Sequence, residues 1–86
     1  MGVGIKRLVV DALKPREISS TELCKELCKV KGVQEVDLVV VEVDVRTETI
    51  RITLKGGNIR YEDMAKTMDK FSAAIRSIDE ITTHKS

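Results

Sequence analysis

Hydrophobic positions along this chain switch between two periods, and the switches mark the elements. Ile5 to Leu13 is rich in Val and Leu and reads as a strand. Lys14-Pro15 closes it, because proline gives nothing to a ladder and biases the residue before it toward extended geometry. Ser19 and Glu22 then have capping-box spacing, which predicts a helix start. Leu23, Leu27 and Val30 recur at helical spacing as one stripe, with Cys24 and Cys28 on its flank and Gly32 placed to end the helix.

Val33 to Val45 is the most apolar run and reads as a long second strand. Thr49 to Lys55 returns as its partner, with Ile50, Ile52 and Leu54 alternating against Arg51, Thr53 and Lys55. A four-residue loop over Val45 to Glu48 would pair Asp44 with Thr49. It would place Val39, Val41 and Val43 on the face of Ile50, and Leu38 and Val40 on the other. A bulge would shift this register.

Gly56-Gly57-Asn58 breaks the pattern, and a second helix is predicted from about Tyr61 to Ser72. Ile59 and Met64 have the spacing of a hydrophobic staple around a cap at Arg60, a poor capping residue; Met64, Met68 and Phe71 face inward. Ala74 to Thr82 reads as a last strand whose Ile75, Ile78 and Ile81 are spaced by three, which calls for a bulge or strong twist. Residues 83–86 are expected to form a flexible tail.

The order β-α-β-β-α-β with right-handed crossovers gives an α+β ferredoxin-like sandwich: one four-stranded antiparallel sheet with two helices on one face. The other sheet face should be polar in a monomer. Apolar residues fall on both faces of the first two strands, however, so the pattern suggests self-association, with Leu38 and Val40 as candidate interface residues. The alternative is a mixed face shielded by the stems of Arg7, Arg51 and Lys55.

Composition narrows the function. Eighty-six residues make one small, thin-cored domain. The balance of 15 basic and 14 acidic residues argues against a nucleic-acid binder, and the lack of aromatics in the central strands argues against base stacking. No segment is long and apolar enough to span a membrane, and Met1 to Lys14 lacks a signal-peptide layout, so a cytoplasmic protein is expected. A scarcity of Asn and Gln beside many Lys and Glu leans toward a thermophilic source.

Taken together, residues 7–15, Glu42-Val43-Asp44, Thr47-Glu48, residues 50–56 and residues 75–81 resemble a mostly archaeal family of small uncharacterised proteins, domain-of-unknown-function family 211. The resemblance covers nearly the whole chain. It implies a ferredoxin-like fold and ring-like homo-oligomers, and no established activity. Arg60 departs from the family pattern, where an acidic residue is usual, and the cysteine pair is outside the family signature.

Two sets of residues are candidates for chemistry. Asp11, Glu42, Asp44, Asp79 and Glu80 lie in or near strands, and carboxylates of neighbouring subunits in a ring could converge on calcium or another divalent cation. The competing reading is cross-strand pairing with Arg7, Arg51 and Arg76. Cys24 and Cys28, one helical turn apart, could share a soft metal or respond to redox state; the competing reading is small apolar residues packed beside Leu27. Neither Lys14-Pro15 nor Gly56-Gly57-Asn58 forms a recognised phosphate loop, so turn chemistry is the better reading of both. With no nucleophile–base set and one histidine, no enzyme is expected. The sequence therefore points to a cyclic homo-oligomer acting as a binding or regulatory module, with a thiol-based role or a structural partner-binding ring as alternatives.

Overall fold

The computed structural model describes residues 2–85. Its elements are β1 (Val3–Pro15), α1 (Ser20–Cys28), β2 (Val33–Val43), β3 (Thr47–Gly56), α2 (Tyr61–Lys70) and β4 (Ala74–Lys85). The four strands form one antiparallel sheet in the order β2-β3-β1-β4, which is the ferredoxin-like topology. The outer strands are thus β2 and β4.

Each helix begins as its local sequence dictates. Ser19 is extended, and its side chain accepts from the Glu22 N–H. Ile59 and Met64 are both buried around Arg60, which is extended and makes no side-chain cap bond. Helix α1 stops at Cys28 with Lys29 as its C-cap, earlier than Gly32 suggests. Gly32 instead serves the loop. It has φ +91°, and a Cβ there would lie 2.0 Å from the Asn58 carbonyl oxygen. Gly57 N–H donates to Gly32 O and Arg60 N–H to Lys31 O, so the two loops at this end interlock.

The core lies between the helices and one sheet face. Leu8, Val10 and Ala12 of β1 stand opposite Leu54, Ile52 and Ile50 of β3, and all six are fully buried. Leu23, Leu27, Met64 and Met68 cover them from the helices. Lys14 is also buried. Its ammonium donates to Pro15 O at 2.9 Å and to Ile18 O and pairs with Glu48 of β3 at 3.1 Å, so the buried charge is fully partnered.

Three features depart from the sequence reading. The β2–β3 turn is shorter than expected, with residues 44–46 between the strands and Asp44 N–H bonded to Thr47 O. Val43 pairs with Glu48, Glu42 with Thr49 and, across an irregularity at Val41, Val40 with Ile50 and Leu38 with Ile52. Next to the turn this register is shifted by about two residues and the faces are kept, but beyond the irregularity the shift becomes odd, so the faces of β2 from Val40 back through Leu38 are exchanged. Leu38 and Val40 lie on the helix side, and Leu38 packs against the core rather than on the open face. Val39 stands on the open face beside Arg51.

The second departure is the C-terminus. Thr83, His84 and Lys85 pair with Ile5, Gly4 and Val3, so the expected tail is strand as far as Lys85, while Ser86 lies outside the described residues. The third is the open face, where Arg7, Asp11, Arg51, Thr53, Lys55 and Glu80 predominate and Val9 is buried among them. The open face is mixed, and apart from Val39 its aliphatic residues are few and covered.

The isoleucine spacing in β4 resolves as bulges. Register shifts between Val9 and Val10 and between Asp11 and Ala12 insert Asp79 and Arg76 as extra residues. Ile81, Ile78 and Ile75 thereby all fall on the helix side, opposite Leu8, Val10 and Ala12. Only Ile75 packs on the core; Ile78 is 43% exposed and Ile81 55%.

Candidate functional site

The candidate carboxylates do not converge within one chain. Glu80 is ion-paired with Arg7. Asp79 lies 3.9 Å from Arg51 and accepts from the Ser77 hydroxyl at 2.8 Å. These pairs are the cross-strand arrangement weighed above, and their exposed positions make each worth about 0–1 kcal/mol. Asp44 sits in the β2–β3 turn, where its carboxylate accepts the Val45 N–H at 2.8 Å. Glu42 lies on β2 beside Thr49, and Asp11 on β1 beside Arg51 and Ser77. Among the described residues, no group of three or more His, Cys, Asp or Glu side chains is close enough to hold a metal ion.

Four of the five acids divide between the two ends of the sheet order, and Asp11 lies on the interior strand β1. Glu42 and Asp44 belong to the β2 side, while Asp79 and Glu80 belong to β4, at the opposite edge. Both edges also carry apolar surface. Beyond Leu38, β2 and its turn expose Val39, Val40, Val41, Val43 and Val45. On β4, Ile78 and Ile81 face the helix side yet stay 43% and 55% exposed. The sequence pattern points to Leu38 and Val40 as exposed aliphatics and does not single out Ile78 and Ile81, although their spacing of three is the available signal.

The reason is a mismatch of lengths. Helices of 9 and 10 residues span about 14–15 Å, whereas strands of 10–13 residues span roughly 33–43 Å. The helices therefore cover only part of the sheet, which gives the molecule its 46 × 21 × 17 Å shape.

The cysteines occupy a separate place. Cys24 and Cys28 point from α1 toward β2, and their thiols donate to Val36 O and Gln34 O, each at 3.7 Å. Both border a shallow cavity of about 450 Å³ whose walls include Ser20, Lys25, Val36 and Leu38. Cys24 is half-buried and Cys28 is exposed, so Cys28 is not a core residue beside Leu27. Burial, then the neighbouring Cys28 and then Asp37 push the Cys24 thiol above its ordinary pKa, so it stays protonated through neutral pH.

Among the described residues no helix is long and apolar enough to cross a membrane. Residues 6–86 match the profile of DUF211, a family described as Uncharacterized ArCR. The chain is also similar to an uncharacterised protein of Methanocaldococcus jannaschii, with 32% identity over 82 residues that cover 95% of this chain and 84% of the relative.

Proposed function

The chain belongs to the DUF211 family, and from that premise we propose that it is the protomer of a cyclic homo-oligomer, a non-enzymatic binding or regulatory module that holds a divalent cation or small ligand at its subunit interfaces. The observation that carries this reading is the apolar surface at both outer strands. Val39 to Val45 on one edge and Ile78 with Ile81 on the other are exposed in a single chain, and edge strands present unpaired backbone groups as well.

Two different edges that complement each other make a head-to-tail contact, and such a contact closes into a ring when the rotation per subunit permits. The same contact would bring Glu42 and Asp44 of one chain toward Asp79 and Glu80 of the next. A hard cation such as calcium needs several oxygen ligands, and two chains together offer four carboxylates where one offers two at each edge.

Native mass spectrometry tests assembly and retained ions together. A closed oligomer of one size is expected, with calcium uptake weakened in Asp44→Ala and Asp79→Ala. A monomer at micromolar concentration removes the ring, and a calcium titration without heat above buffer removes the cation site.

A further inference from the structure

We propose that Cys24 and Cys28 form a two-thiolate site for a soft monovalent metal ion, copper(I), at the rim of the groove between α1 and β2. The proposal goes beyond the ring reading and does not depend on it. Three observations carry it. Both thiols leave one face of α1 one turn apart, a spacing that places their Cβ atoms roughly 5–6 Å from each other. Both donate to backbone carbonyls of the same strand at 3.7 Å, and a thiol is a weak donor, so little is lost when they turn toward a shared ion. Both also border one cavity, so an ion between them has room on its outer side.

The ligand set selects the ion. Closed zinc sites take four ligands and hard cations take six or more oxygens. Among the described residues no third cysteine, histidine or carboxylate joins this pair. Copper(I) is soft, prefers thiolates and accepts as few as two of them. On binding, each thiol releases its proton to solvent and its sulfur donates a lone pair to the ion; no electron is transferred, and the product carries one negative charge. The Lys25 ammonium on the same cavity wall opposes that charge, and the Val36 and Leu38 side chains shield the sulfurs from water on the strand side.

Anaerobic titration of the full chain with copper(I), in competition with a chromophoric copper(I) chelator, tests the site. One ion retained per chain is expected. Cys24→Ser and Cys28→Ser should each weaken retention by about tenfold or more, with circular dichroism confirming the fold. Cys28→Ser changes an exposed position and is the variant on which the test rests. Retention at full strength in Cys28→Ser overturns the proposal. So does one ion per two chains, which would mean that the ion bridges two molecules. Zinc(II) retained as tightly as copper(I) would overturn the low-coordinate assignment. Chelator competition reads the metal whether or not rings form, so loss of assembly and loss of this site are separable.

Discussion

Gly32 combines a left-handed backbone with no room for a side chain, and both conditions predict intolerance to substitution. The left-handed conformation alone costs an L-residue about 1–2 kcal/mol, and a Cβ 2.0 Å from the Asn58 carbonyl oxygen would push the interlocked loops apart. Gly32→Ala should therefore lose more than that. At about 4–8 °C per kcal/mol for a domain of this size, the melting temperature should fall by roughly 10 °C. Gly57, whose Cβ would meet nothing within 4 Å, is the control; Gly57→Ala should stay within about 0.5 kcal/mol of wild type. Equal melting temperatures for the two variants would contradict this account. Residues whose role depends on near neighbours were legible in the sequence: the Ser19 cap and the Ile59–Met64 staple are both present. Lys14 was not, because its burial depends on Glu48 of a distant strand and on the fold of the following loop. The same limit applied to the acids, since only the sheet decides that Asp79 lies near Arg51 and Glu80 pairs with Arg7.

At the level of elements, α2 starts on a residue that does nothing for it. Arg60 makes no side-chain cap bond and places a cation at the helix end where the dipole favours anions. Arg60→Ser should supply the missing acceptor and stabilise the chain by about 1 kcal/mol, raising the urea midpoint with an unchanged slope. An unchanged midpoint would show that the cap is not limiting. The existence, type and order of all six elements were readable, because periods of two and of 3.6 are strong over runs this long. Register was not equally readable. The β2–β3 turn contains no glycine or asparagine to announce its length, and the irregularity at Val41 leaves no mark in an all-valine run. One odd shift was enough to exchange the faces of β2 from Val40 back through Leu38. In β4 the isoleucine spacing did report the irregularity, since residues three apart share a strand face only if an extra residue intervenes. The C-terminus was misjudged because its polar composition suits an outer strand as well as a tail.

For the whole molecule, the exposed aliphatics on two different edges tie stability to concentration. If assembly buries them, the melting temperature rises with chain concentration by mass action. A Val39→Lys and Val43→Lys double variant, at positions 57% and 55% exposed in the single chain, should remove that dependence while the circular dichroism of the folded chain is kept. A wild-type melting temperature independent of concentration would count against self-association. The strands that outrun their helices also govern how a lone chain rotates in solution. A body of 46 × 21 × 17 Å tumbles slowly end over end and quickly about its long axis. Strand N–H bonds lie across the strands, while helix N–H bonds follow the helix axes, which run back along the sheet. Nitrogen-15 relaxation in an isolated chain should therefore separate the amides of α1 and α2 from those of β1 and β3. In a closed ring the axis of a single chain no longer sets the rotation, and the separation should change with the shape of the assembly.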